Sequence, residues 1–201
     1  HSTSFHVLSD AKTFHYWSNT WGSEVMNLWR LDCGAQTLLV GGDKNLPEVF
    51  YWGTRLPEKE DLEKIWNATR LDYSGGVLDG IPPLSICPEV SKTFAGYPGM
   101  RIRGAGGTRL QPNFRLADAK YKETSLTLKF EDPELGLTYK ANFLAHHATD
   151  VFELSASLTA DADLLVDWFA APVLPATQAA QKMIDFSGHW CREFEKQETD
   201  W

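Results

Sequence analysis

Cysteine is scarce in this sequence. Cys33, Cys87 and Cys191 are the three present among 201 residues, far apart and odd in number. That pattern does not read as a disulfide framework, and with no CxxC pair it offers no dithiol motif. A reducing cytoplasm is the compartment it fits. Long apolar runs are missing as well. None approaches the ~20 residues that a helix needs to cross a bilayer, so no membrane partner is expected. His1 to Phe14 has no basic stretch followed by an apolar one, so no secretory leader is visible. Outside secretion, the sequon Asn67-Ala68-Thr69 carries no meaning. Positive charge is in deficit, with 19 Lys and Arg against 27 Asp and Glu and a formal net charge of −8. No basic run offsets this locally, so nucleic acid is not expected as a partner.

What is present is ordinary globular material, 43% hydrophobic and 23% charged. A chain of this length buries roughly 70% of its extended surface on folding and needs no metal or disulfide to hold a core. No internal repeat or linker interrupts it, and one domain over residues 1–201 is expected. Eight tryptophans are many for the length, and several stand beside turns. Buried indoles pack cores, whereas exposed ones stack on sugar rings.

Strand follows strand along the chain. Leu126, Leu128 and Phe130 alternate with Ser125, Thr127 and Lys129. After the turn residues Asp132-Pro133-Glu134, the same period of two resumes through Leu137, Tyr139, Ala141 and Phe143. A third run carries Phe152, Leu154, Ala156 and Leu158. A fourth, Leu164 to Phe169, is more continuously apolar, as a strand covered on both faces would be. Together they predict a four-stranded antiparallel meander that needs a second layer against its apolar side. Shorter strands are predicted over Thr13–Trp17, Met26–Leu31, Thr37–Val40 and Val49–Trp52, with a hairpin loop at Asp32-Cys33-Gly34-Ala35. A closing pair is expected near Lys182–Phe186 and Trp190–Phe194, turning at Ser187-Gly188-His189. A short helix is predicted to open at Pro57, with Glu58, Glu60 and Asp61 in its first turn and Leu62, Ile65 and Trp66 on one face. Residues 72–112, broken by Gly75-Gly76, Pro82-Pro83 and Tyr97-Pro98-Gly99, read as a long irregular segment, usually functional or laid over another surface.

Few motifs speak for chemistry. Gly104-Ala105-Gly106-Gly107 lacks the Lys-Ser/Thr of a phosphate loop and reads as a surface loop. His146-His147, with Glu153 following, could form an acid–base pair. On a strand the two histidines would point to opposite faces and could not simply share a metal, whereas at a turn they could. Asp132, Glu134, Asp161 and Asp163 lie in charged turns, and no spacing nominates the two facing carboxyls that glycoside hydrolysis needs. No nucleophile elbow is present. No cofactor, metal site or catalytic residue is assigned.

Three segments resemble the N-terminal region of glycoside hydrolase family 36, the melibiase-type α-galactosidases. The first is Arg30-Leu31-Asp32 with Leu46-Pro47-Glu48-Val49-Phe50-Tyr51-Trp52-Gly53. The second is Pro88-Glu89 with Gly96-Tyr97-Pro98-Gly99. The third, Asp185-Phe186-Ser187-Gly188-His189-Trp190-Cys191-Arg192-Glu193, is similar to the family's Ser-Gly-x-Trp-x-Arg-Glu element ahead of the barrel. The resemblance implies an all-β fold: a distorted antiparallel β-sandwich, a supersandwich of galactose-mutarotase type, with one or two short helices. It further implies a C-terminal (β/α)₈ barrel as partner, carrying an aspartate nucleophile and an aspartate acid/base of a retaining mechanism. A barrel takes ~250 residues, so neither aspartate has a counterpart here. The end at Glu198-Thr199-Asp200-Trp201, just after the third motif, reads as a point ahead of that barrel.

In such relatives, aromatic loops of this domain approach the galactose pocket, sometimes that of a neighbouring subunit. On that basis Trp52 and Trp190 are the expected sugar-facing residues, supported by Tyr51, Arg192 and Glu193. Trp190 could instead pack the domain on its barrel, with Arg192 and Glu193 pairing nearby. The expected role is a non-catalytic, pocket-shaping module of an α-galactosidase, inert alone, with an α-galactoside as substrate and a homo-oligomeric whole enzyme. Two alternatives are a free-standing carbohydrate-binding module and a mutarotase-like epimerase that would use His146 or His147 with Glu153. The middle segment holds fewer aspartates and more arginines (Arg101, Arg103, Arg109) than the family pattern suggests.

Overall fold

Alternating strands build three sheets around one core in the computed structural model, which describes residues 26–69, 84–176 and 179–201. β1 (Asn27–Cys33), β2 (Gln36–Gly42) and β3 (Glu48–Thr54) form an antiparallel sheet in chain order. The hairpin at Gly34-Ala35 is where the sequence predicts it. Thr13–Trp17, also a predicted strand, lies outside the described residues.

The helix α1 (Leu62–Thr69) begins later than Pro57. Pro57 instead opens a separate turn, its carbonyl accepting from Glu60 N–H at 3.1 Å. Asp61 is the cap, accepting the Lys64 N–H on Oδ1 at 3.2 Å. The predicted apolar face is the one that packs. Trp66 meets Phe50 edge-on at 5.1 Å between ring centroids, beside Leu28, Leu39, Leu62 and Ile65.

Residues 72–83 of the predicted irregular segment lie outside the described residues, and residues 84–112 are less irregular than their glycines and prolines suggest. β4 (Met100–Gly104) and β5 (Arg109–Leu110) form a hairpin over Gly104-Ala105-Gly106-Gly107. Gly107 has φ +81, and no atom would meet a Cβ at Gly106 or Gly107, as in an open surface loop.

The large sheet runs β6 (Arg115–Lys122), β7 (Ser125–Asp132), β8 (Leu137–His146), β9 (Val151–Ala160). Its register brings Leu126 opposite Phe143 and Phe130 opposite Tyr139, with Leu154 and Leu158 continuing those rows on β9. One face is thus apolar and buried, as the period of two requires. The meander is four-stranded, but its first strand is β6 rather than Leu164–Phe169. β6 is an exposed edge strand with a bulge between Leu116 and Asp118, which erases the alternation.

β10 (Leu164–Phe169) leaves the meander and pairs with β4 in the other layer. It is not covered on both faces, since Leu165, Val166 and Trp168 are exposed. The sheet β10-β4-β5 and the sheet β1-β2-β3 contribute Met100, Ile102, Trp29, Leu31, Leu38 and Val40 to the cluster that holds Phe130, Tyr139 and Phe143. This is an all-β sandwich of antiparallel sheets.

β11 (Lys182–His189) and β12 (Arg192–Asp200) form a two-stranded ribbon whose residues are nearly all exposed. The closing pair is longer than predicted and turns at Trp190-Cys191, with Cys191 at φ +69. Ser187-Gly188-His189 holds a register shift instead of the turn. There a Cβ on Gly188 would lie 2.5 Å from the Arg192 carbonyl oxygen, so the approach of the two strands requires glycine.

Candidate substrate-facing surface

Trp52 stands near the end of β3, across from Leu38 on β2. Its indole is 49% exposed, yet its position is fixed. The ring N–H donates to Gln36 Oε1 at 3.1 Å, and Gln36 Nε2 donates to the Asp150 carbonyl at 2.9 Å. A surface indole held by two successive hydrogen bonds loses little freedom when a ligand stacks on it. Tyr51, one residue back, faces the other side and packs on the α1 cluster, its hydroxyl donating to the Thr54 carbonyl at 2.6 Å.

Arg30-Leu31-Asp32 supports this corner rather than any chemistry. Arg30 Nε donates to both Asp32 oxygens, and its terminal nitrogens donate to the carbonyls of Pro57 and Leu56 at 2.7 and 2.6 Å. The Thr37 hydroxyl donates to Asp32 at 2.5 Å and accepts the Leu56 N–H at 3.0 Å. Arg55 Nη1 donates to the Gly34 carbonyl at 3.1 Å. The chain leaving β3 is thereby strapped to β1 and β2 beside Trp52.

Trp190 sits at the tip of the ribbon and is 85% exposed. Arg192 pairs with Glu195, not with Glu193, which is exposed. Among the described residues no hydrogen bond, ion pair or ring contact joins the ribbon's Trp190, Arg192 and Glu193 to Trp52 or Tyr51. The two groups are separate surfaces, one on the sandwich and one on the ribbon.

His146 and Glu153 do come together across the β8–β9 hairpin, Nε2 to Oε2 at 2.8 Å, with both side chains exposed. They line neither of the two concavities that follow. One, about 340 Å³, is open and lined by Leu158, Leu164, Val166 and Phe169, with Asp163 as its one carboxylate. The other, about 20 Å³, lies between Cys87, Glu89, Met100 and Phe114 and has room for about one water. Glu89 is only 8% exposed, and burial pushes its carboxyl up to about 7 against the pull of the Phe114 N–H, donated at 2.8 Å. Nearby Asp132 accepts the N–H groups of Asn113, Glu134 and Leu135 at 2.8, 3.1 and 3.1 Å. Both carboxyls tie loops to the sandwich. Neither concavity presents the paired, accessible carboxyls of glycoside hydrolysis. Among the described residues no group of three His, Cys, Asp or Glu could hold a metal, and no helix is long and apolar enough to cross a membrane.

Gln36, Asp150 and Glu89 were not nominated from sequence as functional. The first two hold Trp52 through cross-strand geometry, which composition does not display. Glu89 carries a signal, an acid placed within Ile86-Cys87-Pro88-Glu89-Val90, where burial of the charge could have been suspected.

Residues 45–201 match the model of the glycosyl hydrolase family 36 N-terminal domain. An α-galactosidase of Escherichia coli is 26% identical over 152 residues, covering 74% of this chain and 20% of that protein. The fold is similar to that of an α-galactosidase from Lactobacillus brevis, with a TM-score of 0.65 at 17% identity, covering 89% of this chain and 27% of that one. It is also similar to a GH36 α-galactosidase from Geobacillus stearothermophilus solved in complex with raffinose, with a TM-score of 0.67 at 15% identity over 87% of this chain and 28% of that one. The chain thus spans about a fifth of the length of its E. coli relative. By the extent of the family match and the sandwich it folds into, the chain belongs to the glycoside hydrolase family 36 N-terminal domains.

Proposed function

We propose that this single domain is the non-catalytic N-terminal part of a retaining α-galactosidase that hydrolyses terminal α-galactosides. In this reading it packs on a C-terminal (β/α)₈ barrel and shapes the substrate pocket, within a cytoplasmic homo-oligomer. The observation that carries the reading is the family match over residues 45–201, together with an α-galactosidase relative five times the length of the matched part. Trp52 and Trp190 are the sugar-facing residues, with Tyr51 bracing the β3 end and Arg192 and Glu193 shaping the ribbon tip. A preformed indole orients the sugar for attack by groups on the barrel.

The test is steady-state hydrolysis of a nitrophenyl α-galactoside by the full-length enzyme. Trp52→Ala and Trp190→Ala should each raise KM or lower kcat by about tenfold, the effect of losing a ring-stacking contact of about 1.4 kcal/mol. Unchanged kinetics in both variants would remove the substrate-facing role. The 201-residue chain alone should show no hydrolysis, and turnover by it would overturn the non-catalytic assignment.

A further inference from the structure

The outer face of the β10-β4-β5 sheet carries charge opposite to that of the chain as a whole. Arg101 and Arg103 alternate outward between the inward-facing Met100 and Ile102. Arg109 lies across from Arg103, and Trp168 lies across from Arg101. A register shift between Val166 and Trp168 sets Asp167 out of the ladder. Its carboxylate takes two parallel hydrogen bonds from Arg103, at 2.8 and 2.6 Å. Arg103 thereby holds the Asp167 carboxyl below the usual range, and Arg109 and Arg101 reinforce the effect through their charges. Three guanidinium groups thus lie near one carboxylate that Arg103 alone engages, on a chain whose formal net charge is −8.

The same face is aromatic. Arg101 lies over the Tyr97 ring, 4.9 Å from its centroid, and Tyr97 meets Trp168 edge-to-face at 5.4 Å. Trp168 remains 44% exposed and Tyr97 61%. Arg103 is occupied by Asp167, whereas Arg101 and Arg109 have no carboxylate partner among the described residues.

We propose that this face binds an acidic saccharide, an oligosaccharide containing a uronic acid unit. The carboxylate engages the forked donors of Arg101 and Arg109, and the C–H face of the ring lies on Trp168. A neutral sugar would leave both cations unpaired. An acidic peptide would satisfy the cations but leave the aromatic pair unused. The site shares no residue with the proposed galactoside surface and stands independently of it.

Titration of the 201-residue chain, followed by tryptophan fluorescence and calorimetry, tests the assignment. The probes are trigalacturonate, galactotriose as the neutral match, and a triaspartate peptide as the charge match. Trigalacturonate should bind at least about tenfold more tightly than either control, and added salt should weaken it. Trp168→Ala and Arg101→Gln, each with an unchanged circular dichroism spectrum, should lose at least about tenfold in affinity, while Trp190→Ala should not. Equal affinity for triaspartate would make this a general acidic-partner surface and overturn the saccharide assignment. Equal affinity for galactotriose, no binding of trigalacturonate, or full binding by Trp168→Ala would overturn it too. So would self-association of the chain that Arg101→Gln abolishes, because a second copy would then be the occupant.

Discussion

A β-carbon added to Gly34 would lie 2.7 Å from Oδ1 of Asp150, so the β1–β2 turn and the β8–β9 turn interlock. Both residues have positive φ, +52 and +54. Asp150 accepts the Ala35 N–H at 3.2 Å, and its carbonyl holds Gln36, which in turn holds Trp52.

Gly34→Ala should therefore cost on the order of 2 kcal/mol, from left-handed strain together with the clash. Urea denaturation measures it. Asp150→Gly removes the clashing carboxylate, so the double variant should lose less than the sum of the single changes. Strict additivity would mean that the two turns do not share energy.

Glu89 makes stability depend on pH. Its folded value, about 7, lies above the ordinary 4.5 because burial penalises the anion. Between those two values the unfolded chain ionises while the folded one stays protonated, so stability is full below about 4.5 and falls as pH rises towards 7. The loss is on the order of 3 kcal/mol. Lys92 and Arg115 oppose the shift and Asp132 adds to it. Glu89→Gln retains an acceptor for the Phe114 N–H and should flatten the profile, raising the melting temperature at pH 8 relative to the parent chain. An unchanged slope between pH 4.5 and 7 would count against Glu89 as its source.

Tyr139 is fully buried, and its hydroxyl finds no hydrogen-bond partner among the described residues. Its ring packs among Phe114, Phe130 and Phe169, at centroid distances of 5.7, 6.0 and 6.2 Å. Tyr139→Phe keeps that packing and removes an unsatisfied polar atom, a change expected to stabilise by about 1 kcal/mol. A destabilised variant in chemical denaturation would show that the hydroxyl is satisfied in solution.

The strands most legible in the sequence are those whose large apolar residues alternate over eight residues or more, as from Leu126 to Leu158. β4 is hidden because Met100-Arg101-Ile102-Arg103 offers only two inward residues among glycines and prolines. β10 misleads because hydrophobicity does not say which side is covered, and Leu165 and Trp168 stand across from the outward Arg103 and Arg101 and are exposed. The candidate site divides in the same way. Trp52 and Trp190 stand out as aromatics beside turns, and both are exposed. The hold of Gln36 on Trp52 is diagonal across two strands, and the hold of Asp150 on Gln36 depends on tertiary packing. Neither leaves a local pattern.

The departure of β10 from the meander has a consequence in time. Every strand from β6 to β9 pairs with its chain neighbour, so that sheet can assemble from local hairpins. β4 has only the two-residue β5 nearby and gains its main partner after the whole four-stranded sheet has been traversed. Pairing across such a separation is entropically slow. The arginine-bearing face therefore cannot be completed until Leu164 to Phe169 are in place, and its formation would lag if synthesis were interrupted before Leu164.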